Sequence, residues 1–225
     1  MVPGVLVVFE GAEGAGKSTQ VRLVAKRVEE TGRKVLVLRE PGGTPLGDSI
    51  RELLLDPSGS VEAEAEALLF MASRAELVRR KIDPALADGV VVLMDRFFLS
   101  TYAYQVEGRG LPEENIRSAN ALATRGLIPD LTVVLTVPAA EGLTRAASRG
   151  AHDRIERAGN EFYDRVEKAF AQFATPDWQE RHPECGRIVT VKATGTVDEV
   201  FARVVTALAQ NLPDTFRMLQ ETATT

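Results

Sequence analysis

Short β-branched apolar runs recur five times along the chain, at about residues 5–9, 34–38, 90–94, 131–137 and 187–192, and the stretches between them have helical spacing. That alternation predicts an α/β fold, a five-stranded parallel sheet with helices on both faces. After the first run Val21, Val24, Ala25 and Val28 fall at i, i+3, i+4 and i+7, and Gly32 stops the helix. Val197, Phe201, Val204 and Leu208 repeat the pattern in the last helix. Ala63 to Arg80 reads as one long helix carrying Leu68, Leu69, Phe70, Met71 and Leu77, with Asp83-Pro84 starting a shorter one. Between Glu141 and Phe173 two helical segments flank the polar stretch SRGAHDRIERAGN, which buries no face and reads as a mobile excursion. The tail after Leu212-Pro213 is expected to be loosely held.

One loop changes the picture from fold to chemistry. EGAEGAGKST, Glu10 to Thr19, spells G-x-x-x-x-G-K-[ST] through Gly11, Gly16, Lys17 and Ser18, directly after the first apolar run and directly before the first amphipathic helix. Such a pattern arises by chance in about one chain in a hundred of this length, and the strand and helix around it are the context it needs. Backbone N–H groups exposed by Gly11, Gly14 and Gly16, with Ala12, Glu13, Ala15 and Thr19 between and beside them, would cradle phosphates at a helix N-terminus. Lys17 would reach the outer phosphates, and Ser18 would offer a hydroxyl to Mg²⁺. The loop alone leaves ATPase, GTPase and kinase open, but the chain contains no guanine-reading N-K-x-D string.

Composition narrows the partners. The chain has 225 residues, enough for one well-buried domain. Its net charge of −5 argues against a general nucleic-acid or anionic-membrane surface. No apolar run approaches membrane-spanning length and no leader precedes the first strand, so a cytoplasmic location is expected. Cys185 is the sole cysteine, and His152 and His182 stand far apart, which excludes an internal disulfide and makes a zinc or histidine-based centre a poor fit.

LREPGGT (38–44), LLFMASRAEL (68–77), MDRFFLSTYAYQ (94–105) and SRGAHDRIE (148–156), taken with FEGAEGAGKST, resemble the bacterial thymidylate kinases in order and along nearly the whole chain. The resemblance implies a P-loop nucleoside monophosphate kinase that passes the γ-phosphoryl group of ATP to dTMP, giving dTDP and ADP with Mg²⁺. It implies one kinase domain over residues 1–212 with a LID at about 148–158, a tail over 213–225, and a homodimer. Donor and acceptor are both polyanions, so several fixed cations must bring them together. Arg96 matches the guanidinium that grips the dTMP phosphate and Arg51 a second contact to it; Glu40 belongs to the same substrate set. Asp95 matches a Mg²⁺-orienting carboxylate, and Glu13 the acidic position inside the loop. Arg51 also has a plain reading as a surface ion-pair partner, and Asp95 as a helix cap.

Phe70 matches the ring that stacks on thymine, with Arg74 on the same helix face reaching a base carbonyl, although Phe70 taken alone reads as core. Thr101 and Gln105 match a second polar contact to the base, and Tyr104 the ring that crowds the 2′ position. The 5-methyl adds a methylene-sized preference, so dUMP is expected to be a poorer substrate rather than an excluded one. Gly14 stands where one subgroup carries a loop arginine, so the catalytic cation falls to the LID, to Arg149 with Arg154, while Arg157 reads as solvated. Arg145 and Ala193-Thr194 match the adenine side, and His152 a spacer. Val106 departs from the usual Gly after AYQ and unsettles Arg109. Two readings stand against dTMP kinase: a deoxynucleoside kinase, whose acceptor has no phosphate for Arg96 and Arg51, and a catalytically silent P-loop binding module.

Overall fold

The computed structural model describes residues 3–138, 141–142, 144–145, 154–155 and 159–221. Five strands, β1 (Val5–Glu10), β2 (Val35–Arg39), β3 (Val91–Asp95), β4 (Leu131–Thr136) and β5 (Ile188–Lys192), form one sheet in the order β2-β3-β1-β4-β5. All four pairings are parallel; Val5 lies beside Val91 and Val7 beside Leu131. The sheet therefore matches the expectation from sequence in strand number, direction and approximate bounds.

Both faces of the sheet are buried, which is why β1 shows no polar alternation. Val5, Val7 and Phe9 pack with Leu93, Val133 and Leu135 against α1 (Lys17–Glu30) and a long C-terminal helix. Leu6 and Val8 pack with Val92, Met94 and Val134 on the other face, against a layer of helices that includes Leu77, Phe98 and Phe170. Consecutive apolar residues are required when each face has its own core.

The helices follow in order as α2 (Pro45–Leu55), α3 (Ala63–Leu77), α4 (Asp83–Ala87), α5 (Phe98–Thr101), α6 (Glu113–Thr124), α7 (Asn160–Phe173), α8 (Pro176–Arg181), α9 (Val197–Asn211), α10 (Pro213–Phe216) and α11 (Met218–Glu221). Three departures from the sequence reading have physical causes. The long helix does not end near Arg80 but widens into a π-helical turn at Val78–Ile82 that leads into α4. There the Asp83 N–H bonds the Val78 carbonyl, five residues back, just ahead of Pro84, which has no N–H to continue an α-helical ladder. On α9 the buried stripe is Val200, Val204, Val205, Leu208 and Ala209, while Val197 is exposed, because the Thr196 capping box turns the first residue outward. The expected loose tail is corrected as well: Phe216 and Leu219 are 0% and 1% exposed and complete the core on the α1 side. No helix among the described residues is long and apolar enough to cross a membrane.

Candidate active site

The carboxyl ends of β1, β2 and β3 open into a cavity of about 770 Å³. Open parallel sheets bind ligands at this edge because loops and helix N-termini converge there. The end that the sequence reading gives to the phosphate donor is lined by Glu13, Gly14, Ala15, Gly16, Lys17, Ser18 and Thr19. Gly11 and Gly14 both have positive φ, at 138° and 76°. A Cβ on Gly11 would stand 2.4 Å from the Leu135 carbonyl oxygen, and one on Gly14 2.0 Å from that of Gly142, so neither position accepts a side chain. Gly11 and Ala12 lie behind the cavity wall, where their carbonyls accept hydrogen bonds from Lys17 Nζ, each at 2.9 Å.

Lys17 is 6% exposed, and burial, reinforced by the charge of Arg96, lowers its pKa to about 8. Ser18 donates a very short hydrogen bond to the Asp95 carboxylate, so the first residue pair expected around a cation is in contact. Hard oxygen donors of this kind, a hydroxyl and a carboxylate at the mouth of a phosphate loop, fit Mg²⁺, which takes few protein ligands.

Arg96 joins the two ends. It leaves β3 with φ 73°, an uncommon conformation for a non-glycine residue, held by its N–H on the Phe9 carbonyl at 3.0 Å. Its guanidinium reaches Glu13 at 3.1 Å, Ser100 Oγ at 2.9 Å and Tyr104 Oη at 3.3 Å, and lies over the Tyr104 ring. Burial opposes its charge, but Tyr104, Glu13, Glu10 and Asp95 outweigh burial and hold the pKa above its usual value.

The other end, which the sequence reading gives to the acceptor, is walled by Glu40, Arg51, Phe70, Arg74, Thr101, Tyr104 and Gln105, which with Arg96 make up the substrate set expected from the sequence. Arg51 Nη1 bonds the Pro41 carbonyl at 3.0 Å, which folds α2 over the Pro-Gly-Gly loop. Ser73 Oγ accepts the Gly42 N–H at 3.1 Å and fixes the same loop from α3. Phe70 is half-buried against the core and also faces the cavity, so the core and stacking readings of it meet in one side chain. Arg74 is 1% exposed and already engaged: Nε bonds Glu40 at 2.9 and 3.1 Å, Nη2 bonds Glu40 at 2.5 Å and the Phe97 carbonyl at 3.0 Å, and Nη1 bonds Asn120 at 2.7 Å. Its donors thus serve protein partners here, and a base carbonyl would have to share one of them. Burial pushes Glu40 up, against the pull of Arg74.

Arg145, which the sequence reading gives to the adenine side, lines the cavity and bonds the Ala193 carbonyl at 3.0 Å, close to the expected Ala193-Thr194 turn. Arg154 is placed differently from the expectation. Its side chain bonds the Leu54 carbonyl at 3.0 Å and Glu66 at 2.7 Å, and it does not line the cavity, because a buried carboxylate at the acceptor end holds it. Arg149, His152 and Arg157 lie outside the described residues. Arg109, unsettled by Val106, is well placed: it pairs with Glu66 at 3.0 Å and covers the Phe162 ring.

Two acidic residues escaped the sequence reading. Glu10 is fully buried at the end of β1; its carboxylate accepts the Phe97 N–H at 2.7 Å, the Ser100 N–H at 3.1 Å and the Ser100 hydroxyl at 2.6 Å, pinning the turn that carries Arg96. A charge closing an all-apolar strand beside the glycine loop was the available signal. Glu66, also fully buried, accepts from Gln105, Arg109 and Arg154. Its signal was its place four residues before Phe70 and eight before Arg74.

A glycine-rich loop at the end of β1, a hydroxyl and a carboxylate in contact at its mouth and an arginine partway along one cavity are the plan of a P-loop phosphotransferase. The thymidylate kinase family model matches residues 9–204, and the chain belongs to that family, whose members phosphorylate dTMP to dTDP. It is 44% identical over 210 residues to the thymidylate kinase of Deinococcus radiodurans, covering 93% of this chain and 98% of that one. It is 49% identical over 171 residues to the thymidylate kinase of Carboxydothermus hydrogenoformans, with 76% and 84% covered. The crystal structure of thymidylate kinase from Ehrlichia chaffeensis superposes with a TM-score of 0.72 at 29% identity, covering 92% of this chain and 99% of that one.

Proposed function

We propose that this chain transfers the γ-phosphoryl group of ATP to dTMP, with ATP held by residues 13–19 and dTMP by the Phe70–Gln105 wall. The observation that carries the reading is the single cavity that runs from Lys17 and Ser18 at one end to Phe70 and Gln105 at the other, with Arg96 between. Lys17 meets the outer phosphates of the donor, and Arg96 and Arg51 meet the acceptor phosphate; together they offset the repulsion between two anions. A phosphate oxygen is already ionised, so the reaction asks for position and charge rather than a strong general base. Ser18 and Asp95 would hold Mg²⁺, which supplies positive charge to the donor phosphates when bound. Glu13 holds Arg96 in place through its ion pair. Arg149 is assigned the LID cation on the resemblance alone.

Thymidine is disfavoured as acceptor because it carries no phosphate for Arg96 and Arg51 to meet. The homodimer expected from the resemblance is assigned to the layer of α2, α3 and α6, which exposes Leu46, Leu53, Leu68 and Leu122; sedimentation at micromolar concentration tests it. The cytoplasm, where ATP and dTMP occur, is the location this activity requires. Purified protein given ATP, Mg²⁺ and a panel of monophosphates is expected to release ADP fastest with dTMP, and preference for AMP or CMP overturns the assignment.

A further inference from the structure

Helix α3 presents Glu66, Phe70 and Arg74 at a spacing of four, so Glu66 lies one turn below the ring at the acceptor wall. Glu66 is fully buried, yet four donor contacts satisfy it. Oε1 accepts from Gln105 Nε2 at 2.9 Å and Arg109 Nε at 3.1 Å; Oε2 accepts from Arg109 Nη2 at 3.0 Å and Arg154 Nη2 at 2.7 Å. Burial disfavours the charge, but the bonds from Arg109, Gln105 and Arg154 outweigh it and hold the carboxyl below its usual pKa. An ionised carboxylate only accepts hydrogen bonds, so the Gln105 amide must turn its NH₂ toward Glu66. The carbonyl oxygen of Gln105 is then the amide atom left for a ligand, and Gln105 lines the cavity. Among the described residues no donor is placed on that oxygen.

We propose that Glu66 is a positioning residue for acceptor choice: by fixing the Gln105 amide, it presents a carbonyl oxygen to the pyrimidine edge and so favours a base with an N3–H donor over one whose N3 is a lone pair. Thymine and uracil carry that donor, and cytosine does not. A site built to hydrogen-bond a substrate N–H discriminates strongly against an analogue lacking it, because its own buried group is left without a partner. The proposal rests on dTMP being the acceptor and adds to it the group that sets the amide.

The test measures kcat/KM for dTMP and dCMP in wild type, Glu66→Gln, Gln105→Leu and the double variant. In Glu66→Gln a neutral amide faces Gln105 and either orientation is satisfied, so the dTMP-over-dCMP ratio is expected to fall at least ~10-fold, chiefly through KM for dTMP. In the Gln105→Leu background the same substitution should leave the ratio unchanged. Equal losses on both substrates in Glu66→Gln, or a ratio that falls as far without Gln105, would overturn the inference. Glu66→Asp keeps the charge if Glu66→Gln fails to fold; its shorter reach should lower the ratio in the same direction, and an unaltered ratio counts against the proposal. Wild-type protein indifferent to dTMP would instead sink the functional assignment, an outcome read independently of the variants.

Discussion

At the donor end of the cavity, seven consecutive residues, 13–19, make the phosphate cradle, and its shape is set by backbone dihedrals that only glycine adopts cheaply. At the other end, side chains from the loop after β2, from α2, α3 and α5 and from the segment Tyr102–Gly108 are drawn together by two buried carboxylates, Glu40 beneath Arg74 and Glu66 beneath Gln105. One end is local geometry and the other is long-range electrostatics. The difference teaches where each is fragile: the cradle loses function when a group aimed at substrate is removed, whereas the acceptor wall loses structure first, because each charge in it was desolvated in exchange for its partner.

The contrast is broken most forcefully at Arg74. Arg74→Met leaves Glu40 buried without its ion pair, and unfolding by denaturant is expected to show a loss of about 3–5 kcal/mol. A loss below about 1 kcal/mol would mean the acceptor wall does not depend on the pair. Lys17→Ala, at the other end, is expected to lower kcat by at least ~100-fold while the fold is retained, read by steady-state kinetics and circular dichroism.

Third in size is a pH effect. The folded-state pKa of Lys17, about 8, lies below its ordinary 10.5, so nucleotide-free protein releases this proton first and gains stability as pH rises between those values. ATP needs the charged form, so its affinity should fall roughly tenfold per pH unit above about 8, with proton uptake on binding at pH 8.5. Calorimetry in buffers of different ionisation enthalpy reads both, and binding without uptake would show that Lys17 is already charged. The smallest effect sits where the two ends meet. Arg96→Gly and Arg96→Ala both remove the guanidinium, but glycine accepts φ 73° freely, so the glycine variant should be the more stable by about 1 kcal/mol in thermal unfolding.

The same contrast decides what could be read from sequence. Strands with a core on each face announce themselves as unbroken apolar runs, and a loop made of neighbours in the chain is visible as a string, as Gly11 to Ser18 is. Arg74, its partner Glu40 and Gln105 were found through a family pattern, while Glu66, the carboxylate partner of Gln105, was not. In AEAEALLF only the spacing of four to Phe70 and Arg74 separates buried Glu66 from exposed Glu64, and the arginines that justify its burial lie 43 and 88 residues away. The widened turns at Val78–Ile82 and Tyr102–Gly108 escape a 3.6-residue period by construction. Arg154, expected at the transferring phosphoryl group when the LID closes, is bonded to that same remote acid in this structure.

Phe216 and Leu219 plug the flank of the sheet on which the phosphate-loop helix stands. A gene shortened to the last residue of α9 would encode every side chain that lines the cavity and still deliver a leaky scaffold, its core open to water on the flank that holds Val204. Purification tags and fusion joints therefore belong beyond Glu221, where they leave the plug seated.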